Sequence, residues 1–174
     1  MSGSTAVATL PRLRFAAPVT WRPLADDDLA YVAALEAQIH AAPWTLGNFR
    51  DALAAGYLAQ AGEREGRIVA YGVLMLAPGE AQVLNVSVVP DARREGLGRA
   101  LLERFMRDAA QRGAEQIFLE VRVGNAPAIG LYGSAGFVAV GRRAGYYPAD
   151  TGGTHEDALV LRRALPPPAA EGGA

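Results

Sequence analysis

The chain has 174 residues, a single-domain length, with 51% hydrophobic residues, 20% charged residues and a formal net charge of -1. That balance excludes nucleic-acid binding through a general positive field, and no window approaches ~18 strongly apolar residues, so no membrane span is expected. Cysteine and lysine are both missing, since all 17 basic residues are arginine. Disulfide scaffolds, thiolate zinc sites, cysteine nucleophiles, Schiff-base chemistry and a P-loop lysine are thereby removed.

His40 and His155 are the only histidines, too few for a histidine-rich metal centre, and no metal is expected. Met1 to Pro18 is small and Pro-containing, without the basic start and apolar core of a secretion signal, and reads as a flexible tail. Residues 166–174, opening on Pro166-Pro167-Pro168, read as a second, proline-stiffened tail. Residues 19–165 are the expected domain, without internal repeats, of a cytoplasmic monomer.

Val19 to Arg22 reads as a short strand. Asp26 can cap a helix whose apolar residues Leu29, Val32, Leu35 and Ile39 return at helical spacing, and Pro43 ends it. The triplet Asp26-Asp27-Asp28 is helix capping, not a calcium site. Thr45 can cap a second, short helix through Phe49 and Leu53. Tyr57–Ala61, Ile68–Leu76 and Ala81–Val89 read as strands, separated by the turn signals Gly62 to Gly66 and Pro78-Gly79. A helix over Gly98–Gln111 carries Leu101, Leu102, Phe105 and Met106 on one face, closed by Gly113. Gln116–Val123 is a strand, and Asn125 can cap a helix that passes Tyr132 and ends at Gly136. Phe137–Gly141 and Ala158–Leu161 read as the final strands. The order specifies an α/β or α+β layer structure around one sheet.

Two segments carry chemistry. In Pro90-Asp91-Ala92-Arg93-Arg94-Glu95-Gly96-Leu97-Gly98-Arg99, two glycines open a helix after a strand. The absence of side chains there lets several N–H groups point outward together, as a pyrophosphate site requires. On spacing alone a tight turn with a solvated charge run is an equal reading. In Leu119-Glu120-Val121-Arg122, Glu120 interrupts an apolar strand, where an unpartnered carboxylate is costly to bury. Its plain alternative is a solvated glutamate paired with Arg122 two residues on. Tyr132 lies two helical turns after Asn125, and its plain alternative is a core tyrosine with a surface hydroxyl.

The glycine loop resembles the acetyl-coenzyme A loop of the GCN5-related N-acetyltransferases, in which Arg93-Arg94-Glu95-Gly96-Leu97-Gly98 matches Arg/Gln, two residues, Gly, one residue, Gly/Ala. The resemblance covers nearly the whole domain and implies a mixed, mostly antiparallel sheet flanked by helices. It implies that Val86, Ser87 and Val88, on a strand that splays from its neighbour, contact acetyl-coenzyme A through the main chain. It implies that Arg94, Glu95, Gly96, Leu97, Gly98 and Arg99 wrap the pyrophosphate. Asn125, Ala128-Ile129, Leu131-Tyr132 and Gly136-Phe137 narrow the resemblance to the ribosomal-protein-alanine N-acetyltransferases. His40-Ala41-Ala42-Pro43-Trp44 and Arg142 to Pro148 followed by Glu156-Asp157-Ala158 support this, although Gly145 stands where a polar residue is expected. The implied acceptor is the N-terminal peptide of ribosomal small-subunit protein 18, beginning with alanine. The implied roles are Glu120 as general base, Tyr132 as general acid and Asn125 as a cofactor contact. Trp44, Tyr146 and Tyr147 are candidate peptide contacts, and the Val88 amide a candidate to polarise the acetyl carbonyl. An acetyltransferase acting on other protein N-termini or on a small-molecule amine, and a non-catalytic coenzyme A-binding module, are the alternatives. The module would need neither Glu120 nor Tyr132.

Overall fold

A computed structural model describes residues 17–148 and 153–167. Most of both expected tails, and part of the 150–155 loop, lie outside the described residues. Seven strands form one sheet: β1 (Thr20–Pro23), β2 (Leu58–Arg64), β3 (Arg67–Ala77), β4 (Glu80–Val88), β5 (Gln116–Arg122), β6 (Val138–Tyr147) and β7 (Glu156–Ala164). The helices are α1 (Leu29–Ile39), α2 (Leu46–Ala54), α3 (Leu97–Gln111) and α4 (Ala126–Ser134). The strand order is β1-β2-β3-β4-β5-β7-β6. Every pair is antiparallel except β4 with β5. Among the described residues no helix is long and apolar enough to cross a membrane.

Alternation along the strands divides the core between two faces. Ala59, Ala61, Tyr71 and Val73 meet Leu29 and Val32 of α1 and Phe49 and Ala52 of α2. Leu74, Val83, Ile117 and Leu119 meet Leu101, Leu102, Phe105 and Met106 of α3. The apolar stripe read in the sequence is therefore the buried face of α3, where full burial of one Leu or Phe contributes roughly 1.5–3 kcal/mol. Gly72 lies under this helix: a Cβ there would stand 2.5 Å from the Asn85 carbonyl and 3.0 Å from Leu101 and Phe105.

Four local expectations change. β2 runs through Gly62 to Arg64, because these residues pair with β3, and the turn read over Gly62 to Gly66 shrinks to Glu65-Gly66. Asp26 does not cap α1; Asp26–Asp28 is a 3-10 turn, and the Asp28 carboxylate accepts from the Ala25 N–H at 2.8 Å and from Arg22. On α1 the fully buried positions are Leu29, Val32 and Glu36, with Leu35 and Ile39 only partly covered. β6 runs on to Tyr147 instead of stopping at Gly141, because its partner β7 continues back to Glu156.

The sheet opens in the middle. β4 and β5 are paired only from Glu80↔Gln116 to Val83↔Leu119. On its other side β4 stays paired with β3 up to Ala70↔Val88, past a bulge at Leu84. Beyond Val83 the two parallel strands part, and the edge of β4 facing β5 has no strand to pair with.

Candidate active site

A cleft of about 220 Å³ occupies this gap, with Leu84 to Ser87 of β4 on one wall and Leu119 to Arg122 of β5 on the other. The Val89 N–H donates to Val69 on β3 at 3.0 Å. Backbone groups alternate sides along a strand, so the N–H groups of Val88 and Val86 point away from β3, into the gap. Ser87 differs from the expectation of a main-chain role alone. Its side chain is buried, with its hydroxyl 2.9 Å from Asn85 Oδ1, 3.3 Å from Glu36 Oε2 and 2.8 Å from His40 Nε2.

At the top of the gap the chain turns into α3. Gly96 takes φ +82°, a left-handed conformation that a side chain would strain, and a Cβ there would meet nothing within 4 Å. The first intrahelical bond of α3 runs from the Ala100 N–H to the Gly96 carbonyl, leaving the amides of Leu97, Gly98 and Arg99 ahead of it without helical partners. Thr45 and Asn125 cap α2 and α4 with their side chains, whereas α3 has no side-chain cap. Its positive end faces open space. Gly98 serves packing: a Cβ would stand 3.3 Å from Leu131 and 3.7 Å from Val88.

The other loop residues have distinct surroundings. Arg94 is left-handed at φ 64°. The Glu95 carboxylate is held by Arg64 of β2 at 2.5 Å, so Glu95 offers the loop its backbone. The Leu97 side chain is buried with Ala70 and Ala92, so it too offers only its backbone. Arg99 pairs with Glu103 at 3.0 Å and donates to Ser134 Oγ at 3.1 Å. Asn125 Oδ1 accepts from the Ala128 N–H at 3.2 Å; it borders the cleft as the cap of α4.

Glu120 and Tyr132 both border the cleft and reach it from opposite faces of the sheet. Leu119 and Val121 pack towards α3, which turns Glu120 to the α1 side. Tyr132 comes from α4 on the α3 side, its ring 6.0 Å from Phe137. Burial pushes the Tyr132 phenol up to about 12, which keeps its proton in place at neutral pH. Glu120 does not pair with Arg122. Its carboxylate takes the Arg143 Nε at 2.8 Å, and Arg122 goes to Glu156 at 3.1 Å.

The end of β6 forms the roof. From Arg143 to Tyr147 it advances four residues while β7 advances two, from Ala158 to Glu156. This bulge swings the tyrosine pair over Glu120. Tyr146 bonds to Glu120, which raises its phenol, while burial and then the Glu120 charge push Tyr147 up to about 12. Arg122 stacks over the Tyr147 ring at 4.5 Å. The acidic pair fastens the bulge. Glu156 accepts from the Gly124 N–H at 2.7 Å and from Arg122. Asp157 accepts from the Gly145 N–H at 2.8 Å and from Arg142 at 2.6 Å. Gly145, at φ +58°, occupies the left-handed turn of this bulge, which glycine adopts without strain.

Trp44 and Tyr147 border the cleft directly, whereas Tyr146 reaches it through Glu120. Trp44 sits in the loop between α1 and α2, its ring 5.2 Å from Phe49. Glu36, His40, Asn85 and Arg143 were not singled out as site residues from the sequence. The available signal was an acid at Glu36, seven residues after Leu29 and four after Val32, within the stripe that α1 buries. His40 caps the C-terminal end of α1, three residues before the Pro43 read as its stop, and it also meets Ser87.

The site is thus a gap between parting parallel strands beside an uncapped helix terminus, bordered by a carboxylate and a phenol. Residues 21–137 match the model of the acetyltransferase (GNAT) family, and the chain belongs to that family. It is 38% identical over 143 residues to the [ribosomal protein bS18]-alanine N-acetyltransferase of Escherichia coli K12, covering 82% of this chain and 94% of the relative. The crystal structure of the Escherichia coli ribosomal-protein-S18-alanine N-acetyltransferase superposes with a TM-score of 0.79 at 34% identity, over 90% of this chain and 99% of that one. Chaetomium thermophilum Naa20, solved with a bisubstrate analogue, superposes with a TM-score of 0.75 at 28% identity, over 84% and 87% of the two chains.

Proposed function

We propose that residues 19–165 transfer the acetyl group of acetyl-coenzyme A to the α-amine of the N-terminal alanine of ribosomal small-subunit protein 18. The likeness to enzymes named for that reaction supports the acceptor. The observation that carries the chemistry is the convergence of Glu120 and Tyr132 on one gap from opposite faces of the sheet.

The chain's own groups fit acetyl-coenzyme A. The unpaired edge of β4 offers the Val86 and Val88 amides to the pantetheine arm and the acetyl carbonyl. The open amides of Leu97, Gly98 and Arg99, with Arg93 and Arg94 beside them, suit a pyrophosphate. When bound, the cosubstrate supplies the acetyl group as an activated thioester.

An α-amine has an ordinary pKa near ~7.7–8.0, so at neutral pH it arrives largely protonated. Glu120 takes that proton, directly or through one water, and frees the nitrogen lone pair for attack on the acetyl carbon. The Val88 N–H stabilises the charge that develops on the carbonyl oxygen. Tyr132 gives its hydroxyl proton to the departing sulfur, and the second proton, which the nitrogen sheds as it becomes an amide, restores the phenol. Trp44 and the tyrosine pair 146–147 border the path along which the acceptor peptide enters.

The test is incubation with acetyl-coenzyme A and a peptide copying the N-terminus of that ribosomal protein, followed by fragment-ion mapping. One acetyl group on the α-nitrogen is expected. Acetylation of a lysine side chain, or turnover with small amines alone, overturns the reading.

A further inference from the structure

Glu36 is the most deeply buried charged side chain among the described residues, at 2% relative exposure, and the mechanism above gives it no part. Its two oxygens are saturated by donors from three separate segments. Oε2 accepts from the Tyr71 hydroxyl of β3 at 2.6 Å and lies 3.3 Å from Ser87 Oγ of β4. Oε1 accepts from Asn85 Nδ2 of β4 at 2.9 Å and from the backbone N–H of Trp44 at 3.3 Å. The His40 imidazole stands 3.6 Å away, beside Ser87. A carboxylate in such a place is costly unless each lone pair is used, so its partners are fixed by it as much as it is by them.

Two of those segments belong to different substrates in the reading above, on which this inference rests. Asn85 and Ser87 flank Val86 on the strand that faces the cosubstrate. Trp44 belongs to the loop that borders the acceptor path. That loop has no strand or helix to hold its backbone between His40 and Thr45. Its hydrogen bond to Glu36 joins it to the cosubstrate strand.

We propose that Glu36 is a positioning residue that fixes the α1–α2 loop, and with it Trp44, to β4, so that the acceptor amine enters in line with the acetyl carbon. The strand remains held to β3 by its own ladder when Glu36 is changed. The loop has no such ladder: besides Glu36, it is held by the His40–Ser87 contact at its start and by the Trp44 ring against Phe49, and neither ties the backbone at Trp44 to β4. Loss of the hub therefore falls on the acceptor and spares the cosubstrate.

Glu36→Gln tests this. Its carbonyl oxygen can serve the Tyr71 side or the Trp44 side, and its amide then faces donors on the other. The expected result is an acceptor-peptide KM raised about tenfold, with the acetyl-coenzyme A Kd from calorimetry within twofold of wild type. Adding Tyr71→Phe removes the competing buried donor and should recover much of the acceptor KM, a rescue that general loosening of the core does not give. An unchanged acceptor KM, or an equal loss of acetyl-coenzyme A affinity, overturns the proposal. If Glu36→Gln does not fold, Asn85→Ala, which removes one partner and leaves the acid with three, should raise the acceptor KM severalfold; a wild-type KM there overturns it equally. Failure of the wild type to acetylate the peptide refutes the functional reading instead, and is distinct from any of these outcomes.

Discussion

Replacing Glu120 by glutamine separates its two duties, holding the roof and taking the proton. The Gln oxygen can still accept from Arg143, which lies 2.8 Å from the carboxylate in the wild type. The side chain keeps its length, so Tyr146 and the bulge of β6 retain their seat. Proton acceptance alone is lost, and general bases contribute ~100- to 10,000-fold in rate. The pH dependence carries more information than the size of the loss. With an amine pKa near ~8, about a tenth of the acceptor is unprotonated at pH 7 and about nine-tenths at pH 9. The variant depends on the amine that has already lost its proton, so its rate should climb about tenfold over that interval. The wild type, which removes the proton itself, should climb much less, and the deficit should narrow towards pH 9. The assay is a pH–rate profile of both proteins at saturating acetyl-coenzyme A with the alanine peptide. Parallel profiles, or a variant with wild-type rate at pH 7, would refute the role of Glu120 as base and leave it as an anchor for Arg143 and Tyr146.

Tyr132→Phe should lower kcat ~100-fold or more with the acetyl-coenzyme A Kd unchanged in calorimetry. Because burial raises the phenol to about 12, wild-type activity should show no alkaline loss from Tyr132 below about pH 11. Gly96→Glu places a side chain at φ +82° and a negative charge before the open amides of α3, so calorimetry should show acetyl-coenzyme A binding abolished. Its circular dichroism spectrum should remain that of a folded chain, at a cost of about 1–2 kcal/mol in chemical denaturation for the left-handed backbone. Asp28 is held below its ordinary value by its hydrogen bonds to Arg22, so it stabilises the fold above pH 3.8 and that support is lost as pH falls through its folded value. Asp28→Asn should therefore lower stability at neutral pH and flatten the acid limb of an unfolding-versus-pH curve.

The sequence by itself determined much of the frame. Apolar spacing placed α3 and its buried face, and turn residues separated β2, β3 and β4, although β2 runs on through Gly62 to Arg64. Two glycines after a strand marked the open helix terminus, and a carboxylate in an apolar strand marked Glu120. These signals are local: periodicity, backbone freedom and the cost of a misplaced charge act within a few residues. The tertiary structure decided which groups meet across long separations. Helical spacing puts Glu36 on the buried stripe of α1 but cannot say what satisfies it there; it becomes a hub because Tyr71, Asn85 and Ser87, 35 to 51 residues away, converge on it. Arg122 reads as the partner of Glu120 by strand alternation. Pairing of β6 with β7 brings Arg143 to Glu120 instead, and Glu156 takes Arg122. The extent of β6 and the bulge that carries Tyr146 and Tyr147 depend on the register of β7, which no single stretch of either strand specifies. The gap between β4 and β5 is likewise a property of the pair. Strand propensity acts on each strand alone, whereas their parting shows only in the pairing, which stops at Val83↔Leu119 beside the bulge of β4 at Leu84.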